Sequence, residues 1–331
     1  MTGQLPRPET ITTLLNAVYP SFALLAGMEL DLFTPLDGGS LTVEQLAGTL
    51  AVQPAKLRPL LYTLVTAGLL TIEEERFSNT VEAGQYLVRD KPAYLGEISA
   101  LTSNNWHRLL KIAQTIRAGG PVDQDDYHSM SQEELYALLS GLHPFALADA
   151  RMLMEQYDFS RHRSLLDVGG GSGGLAIALA QAYPQLKATV VDLPLVTPIT
   201  RQFISEANMD GRVNVITANA VHEPLAGSYD VVLARHVMQV LSTADCRALL
   251  HNIAAAQLNG GVIHLIGWVL DDSRLSPKRV VENNLVLLTA YAEGQAYTEG
   301  EYRGWLAEAG YAGFERVMMP DSASILTARK Q

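Results

Sequence analysis

From residue 164 onward, short apolar runs alternate with amphipathic ones, and that alternation admits very few folds. "SLLDVGG", "KATVVDLP", "RVNVITAN", "YDVVLARH" and "GGVIHLIGWVL" read as strands, and "GGLAIALAQAYP", "TPITRQFISEANM" and "TADCRALLHNIAAAQ" as the helices between them. The pattern predicts a doubly wound α/β domain on parallel strands, whose continuous apolar runs belong to strands buried on both faces. A helix at 298–309 and strands near 313–318 and 323–329 complete this half. Ligands of such sheets lie at the carboxyl ends of the strands.

Residues 10–160 read as mostly helical. "ITTLLNAVYPSFALLAGMELDLFTPL" is apolar on a helical period and ends at Gly38-Gly39. Thr42 or Ser40 caps a short helix, Pro54 to Ala67 form a third, and strands follow at 69–72 and near Phe77. Three helices and a hairpin are a winged-helix pattern. Its third helix offers only Lys56 and Arg58 as basic groups, which favours docking over DNA binding. The apolar stretches at 11–33 and 94–115 call for a partner, and a dimer formed by this half would cover them.

A net charge of −11 argues against nucleic-acid and anionic-membrane partners. The single cysteine, Cys246, excludes an intrachain disulfide and multi-cysteine metal sites, and fits a reducing compartment. "MTGQLPRPET" lacks an apolar signal region, and no apolar run is read as reaching the ~18 residues of a membrane helix, so a cytoplasmic protein is expected. His107, His128, His143, His162, His222, His251 and His264 are scattered without metal-ligand spacing, so no metal is expected, and His264 is read as packed within its strand. No phosphate-loop GK[ST] occurs.

"LLDVGGGSGG" places Gly169, Gly171 and Gly174 at the spacing of a loop that brings backbone against a nucleotide-like ligand. Asp192 ends the second strand, where a carboxylate can accept from ribose hydroxyls. The spacing alone admits NAD or S-adenosyl-L-methionine. Asp167 would crowd a pyrophosphate but attract an ammonium and a sulfonium, which favours the latter.

Here the chain resembles the small-molecule O-methyltransferase family of plant caffeate and isoflavone methyltransferases, acetylserotonin methyltransferase and bacterial natural-product enzymes. The likeness spans nearly the whole length, through "LLDVGGGSGGLAIALAQAYPQLKATVVDLPLV", "LNGGVIHLIGWVLDD", "YTEGEYRGWLAEAGY" and, in the front half, "LAGTLAVQPAKLRPLLYTLVTAGLL". It implies a winged-helix dimerisation domain over 1–95, a helical linker and substrate-pocket region over 96–160, and a Rossmann-like class I methyltransferase domain over 161–331, in a homodimer. It further implies S-adenosyl-L-methionine at the sheet edge. Gly169 and Gly171 would line its methionine portion, Asp192 would bind its ribose, and Asp167, Leu193 and Ala220 would also belong to the cofactor site. Asn219 would stand where the family keeps an adenine-contacting aspartate, and Arg235 where many members have a lysine near the adenine. A bulky, flat or aromatic small-molecule acceptor would meet Trp106, Phe145, Met152, Met238, Trp268, Tyr291 and Tyr297.

The chain departs from the family at the catalytic positions. Gln239 falls where the family has a histidine base, followed by Val240 and Leu241 in place of aspartate and tryptophan. The family's two glutamates fall at Gly267 and Ala296, with Glu293 a few residues from the second. Glutamine is no general base. It is expected to shape the site or hydrogen-bond the acceptor, while His236, on the same face if a helix has begun, is a shifted base or a cofactor-packing residue. The two small residues are expected to enlarge the pocket. Oxygen remains the family's acceptor atom, with nitrogen and carbon brought to comparable weight. A homologue that binds the cofactor without transferring methyl, and a winged-helix ligand sensor, are the alternatives.

Overall fold

The computed structural model describes residues 6–91, 93–96, 98–122 and 130–331, which form two compact units, Met1–Trp106 and His107–Gln331. The first contains α1 (Glu9–Asn16), α2 (Val18–Glu29), β1 (Leu41–Thr42), α3 (Val43–Thr49), α4 (Pro54–Thr66), β2 (Leu70–Glu73), β3 (Arg76–Asn79) and α5 (Val81–Tyr86). α6 (Ile98–Leu109) runs across the division. Thr42 caps α3 in a reciprocal capping box with Gln45, and Pro54 opens α4, which is why these helices start where the sequence predicts. Phe33, Leu46, Leu61, Leu64 and Phe77 close a core between the helices and the antiparallel sheet β1-β3-β2.

All of α1 and the first turn of α2 are exposed, with no face of α1 buried. Ile11, Leu14, Leu15, Val18, Tyr19 and Phe22 recur at helical spacing and are each exposed. The run Glu9–Glu29 is long and apolar enough, by length and composition, to cross a membrane. That corrects the expectation that no run reaches such a length. Asn16 and the small polar residues interrupt the apolar letters, and the helical path continues past Ala17, where α1 ends and α2 begins with the backbone still in the right-handed helical region.

The second unit continues with α7 (Ile112–Ala118), α8 (Gln132–Gln156), β4 (Ser164–Val168), α9 (Gly174–Ala182), β5 (Lys187–Asp192), α10 (Thr197–Glu206), β6 (Val213–Thr217), β7 (Tyr229–Arg235), α11 (Thr243–Ala256), β8 (Gln257–Gly267), β9 (Val269–Leu270), α12 (Lys278–Ala290), β10 (Tyr297–Thr298), α13 (Glu299–Glu308), β11 (Tyr311–Met318) and β12 (Ser324–Lys330). Its main sheet has the order β11-β12-β8-β7-β4-β5-β6. β4 through β8 are parallel, whereas β12 runs antiparallel to both β8 and β11. The sheet is therefore mixed, because the short turn between β11 and β12 cannot carry the crossover a parallel pair needs.

Apolar side chains pack on both faces of this sheet. α8, α9 and α10 contribute to one cluster, α11 and α13 to the other. The strand order reverses beside β4, which opens a crevice at its carboxyl end. α8, from before the first strand of the sheet, packs along α9 at that crevice.

Candidate active site

The crevice is floored by the glycine turn after β4. Gly169, Gly171 and Gly173 have φ of 62°, 57° and 73°, a region that side-chain-bearing residues seldom enter. At Gly170 a Cβ would lie 2.7 Å from Asp167 Oδ2, so the turn folds directly over that carboxylate. Asp192, at the end of β5, accepts from the Gly171 N–H at Oδ2 (2.8 Å) and from the Leu193 N–H at Oδ1 (2.7 Å). Thr200 Oγ1 donates to the Gly171 carbonyl (2.6 Å) and fixes the turn from α10.

Asp167 is fully buried, and neither carboxylate oxygen finds a hydrogen-bond partner among the described residues. Burial pushes its pKa up to about 7; the Ala176 amide, near the carboxylate though not in a hydrogen bond of standard geometry, gives the largest relief, Asp192 then adds repulsion, and Arg235 relieves it least. Burial likewise raises Asp192, against the two amides that lower it. One buried and one half-buried carboxylate at the glycine turn form a site that a cation would relieve.

Asn219 follows β6. Its Oδ1 accepts from the Val221 N–H (3.0 Å), and its own backbone N–H donates to Glu223 (2.8 Å). The oxygen is thus spent on the turn, which leaves the side-chain NH₂ as the group Asn219 can offer a ligand.

Past β7 the chain turns sharply. His236 has φ +55°, a left-handed conformation costly for a bulky residue, and its N–H donates to the Ile266 carbonyl (2.7 Å). A short 3₁₀ turn, Met238–Val240, follows, and α11 starts only at Thr243 behind its Ser242 cap. No helix has therefore begun at His236. The strained turn, not helical spacing, brings His236 Nδ1 to 3.0 Å from Gln239 Oε1. The same oxygen accepts from the Trp268 N–H (3.1 Å). With the carbonyl oxygen as the shared acceptor, Nδ1 carries the imidazole proton and Nε2 the lone pair. Burial pushes the His236 pKa down to about 4, assisted by the Arg235 charge, so the ring is neutral near pH 7. Its edge meets the Trp268 indole, with ring centroids 5.7 Å apart.

This architecture matches a known pair of domain families. The O-methyltransferase domain family model matches residues 117–312, and the O-methyltransferase dimerisation domain family model matches residues 12–89. The chain belongs to the O-methyltransferase family. The 3-hydroxy-5-methyl-1-naphthoate 3-O-methyltransferase of Streptomyces sahachiroi is 29% identical over 308 residues, covering 92% of this chain and 89% of that one. The L-tyrosine C(3)-methyltransferase of Streptomyces lavendulae is 26% identical, covering 90% of this chain and 85% of that one. Human N-acetylserotonin methyltransferase, solved in complex with SAM, superimposes with a TM-score of 0.86 at 23% identity, over 100% of this chain and 99% of that one. The resemblance read from the glycine and front-half motifs is borne out, as is the two-domain fold.

This methyltransferase uses S-adenosylmethionine, and the orphaned Asp167 carboxylate beneath the glycine turn fits a ligand bearing positive charge. The residues expected around that ligand fall into two groups. Asp167, Gly169, Gly171, Asp192, Leu193, Asn219 and Ala220 gather at the ends of β4, β5 and β6. Arg235, at the end of β7, is tied to Asp149 of α8 by a 2.5 Å ion pair, a partner the sequence did not reveal.

The expected acceptor walls divide likewise. Phe145, Met152, Trp268 and Tyr291 are half-buried. Met238 and Tyr297 are instead core residues, 3% and 0% exposed, and the Tyr297 hydroxyl is used on the Leu241 carbonyl (2.6 Å). Trp106 belongs to the first unit, where it packs edge-on against Phe22.

The enlargement expected from small residues is also corrected. Ala296 is wholly enclosed in a cluster with Leu270, Val280 and Leu287. Gln239 fills the room beside Gly267, where a Cβ would meet its Oε1 at 3.1 Å. What remains there is a small cleft of about 10 Å³ bordered by His236, Met238 and Tyr302, about one water's worth. Glu293 is exposed. His264 is packed and hydrogen-bonded to Thr327 (2.8 Å), as expected. Among the described residues no group of three His, Cys, Asp or Glu is arranged to hold a metal, and His128 lies outside them.

Proposed function

We propose that this methyltransferase alkylates a bulky aromatic small molecule at a nucleophile that needs little help in losing its proton. The observation that carries this reading is the pairing of His236 with Gln239. The family resemblance puts a histidine base at position 239, and here an amide oxygen occupies it, committed to His236 and to the Trp268 amide. His236 keeps a lone pair on Nε2, but a ring whose pKa is held near 4 is a weak base at neutral pH.

S-adenosylmethionine supplies an electrophilic methyl group when bound, and displacement at that carbon demands in-line approach more than proton removal. The protein's part is to hold the acceptor's flat face against Trp268, with Phe145, Met152 and Tyr291 as further walls. His236 Nε2 receives a hydrogen bond from the nucleophile. An acidic phenol on a fused aromatic system suits this arrangement, in line with the naphthoate named for one relative. An electron-rich aromatic carbon is the second reading, favoured by the C-methylating relative and by the weak base.

Gln239→Leu strands the His236 and Trp268 N–H groups. It is expected to lower kcat/KM for the acceptor about tenfold, the worth of ~1.4 kcal/mol, while cofactor affinity stays within twofold. The true acceptor would be found by incubating methyl-labelled cofactor with cell extract and identifying labelled products by mass spectrometry. At saturating cofactor kcat should be flat from pH 5.5 to 8. A rise through pH 6.5 that disappears in His236→Ala would make His236 a general base of ordinary strength and overturn the reading.

The exposed stripe on α1 and α2 supports a homodimer through the first unit, whose winged-helix-like order of helices and hairpin then serves docking instead of DNA recognition. Leu14→Glu with Tyr19→Glu should convert the dimer to a monomer in sedimentation velocity, and an unchanged mass would remove the stripe from the interface. The net charge of −11 and the buried, unpaired Cys246 support a cytoplasmic enzyme acting on neither nucleic acid nor membrane.

A further inference from the structure

His143 lies on α8, outside the glycine motif and outside every residue assigned above to cofactor or acceptor. Its Nδ1 is 2.8 Å from the hydroxyl of Ser172, which sits inside the glycine turn and is 5% exposed. The turn is therefore held from two sides. Thr200 of α10 binds the Gly171 carbonyl, and His143 of α8 binds the side chain of the next residue.

The imidazole is fixed in a stack. Phe203 of α10 lies nearly parallel to His143, with centroids 4.7 Å apart and planes 22° apart, and nearly parallel to Tyr136, at 5.5 Å and 19°. Positions 136 and 143 are two helical turns apart on α8, about 10.5 Å by the helical rise, which is the spacing two rings need to clasp a third between them. That clasp sets the plane of the imidazole and aims Nδ1 at the turn. Close approach of α8 also requires the glycine at position 174, where a Cβ would come within 2.8 Å of Ala146 Cβ and 3.3 Å of His143 Nδ1. Gly174 has no left-handed φ. It is demanded by the crossing helix, not by the turn's own backbone.

The same half of α8 covers the segment after β5. Leu135 and Leu139 pack with Val196 and Ile199, and Gln132 donates to the Leu195 carbonyl (3.1 Å). The Asp192 carboxylate is thus bordered by two segments that α8 holds down, the glycine turn and the residues from Leu193 onward. Burial lowers the His143 pKa, with Glu206 opposing, which favours the neutral ring that such a bond uses.

We propose that His143 is a positioning residue for the cofactor: its Nδ1 anchors Ser172 and so holds the glycine turn where the Gly171 N–H meets Asp192 and the turn can receive an S-adenosyl ligand. The inference rests on the reading of this turn as the cofactor site. It makes affinity for S-adenosyl compounds depend on one ring nitrogen of α8.

The test is calorimetric titration of the full-length protein with S-adenosylhomocysteine. His143→Phe keeps the stack and removes the nitrogen, whereas His143→Asn keeps an oxygen close to the Nδ1 position. His143→Phe and Ser172→Ala should each weaken binding about tenfold, and the double variant should be no weaker than either single one. His143→Asn should stay within threefold of the parent. Acceptor KM should not change. Parental affinity in His143→Phe would overturn the proposal while leaving the cofactor site intact. An equal loss in His143→Asn and His143→Phe would reduce His143 to packing and also overturn it. Absence of binding by the unaltered protein would remove the cofactor reading itself, and this inference with it.

Discussion

Asp192→Ala should weaken S-adenosylmethionine binding about 100-fold, a loss of ~3 kcal/mol. The carboxylate accepts from the Gly171 and Leu193 amides, so alanine leaves two partly buried N–H groups unpaired beside the ligand. Each unpaired group costs ~1–3 kcal/mol. The acceptor available to ribose hydroxyls also disappears. Asp192→Asn keeps one acceptor oxygen and should fall between the two. Titration calorimetry measures the affinities, and binding within threefold of the parent by the alanine variant would remove Asp192 from the cofactor site.

pH provides a second readout of the same carboxylates. Asp167 and Asp192 have folded-state pKa values raised above those of the unfolded chain, so the folded protein binds the extra protons. Stability of the ligand-free protein should therefore decline as pH rises from about 4, through the about 7 of Asp167. A sulfonium restores what ionisation costs. Preference for S-adenosylmethionine over its uncharged-sulfur product should grow between pH 6 and 8.

Asp149→Leu is the second large effect. The Asp149–Arg235 pair joins α8 to the end of β7 with side chains only 10% and 17% exposed. Burial raises the Asp149 pKa and Arg235 opposes it, so the pair carries a desolvation cost that each partner offsets for the other. Removing one member of such a pair costs ~3–5 kcal/mol, because the other charge stays in place without compensation. For a unit of this size that corresponds to a fall of ~10 °C in Tm. Asp149→Leu with Arg235→Met should recover most of the loss, since two apolar groups of similar volume need no mutual compensation. A single variant as stable as the parent, by thermal and urea unfolding, would show that water reaches Arg235 freely.

The sheet and the glycine turn were legible because their physics is local. A parallel strand buried on both faces writes itself as "LLDV" or "YDVVLAR", and the turn needs glycine wherever φ is positive. What α8 does was not legible. Its letters reveal a helix, but nothing nearby in sequence says that it will lie across a turn 29 residues further on, so His143 reads as one of the scattered histidines and Asp149 carries no signal at all. Met238 and Tyr297 failed for a related reason. Matching positions along a family pattern locates a residue on the chain, while the direction of its side chain depends on packing, and both point into the core. The one missing strand direction, that of β12, follows from the length of its turn.

The single oxygen of Gln239 serves two donors from different segments, the His236 ring and the backbone at 268. Any side chain installed at 239 without an acceptor at that point would leave both donors unpaired at once. Engineering a stronger base into this site would therefore have to begin with new partners for position 236 and for the strand end at 267 and 268, and only then change 239 itself.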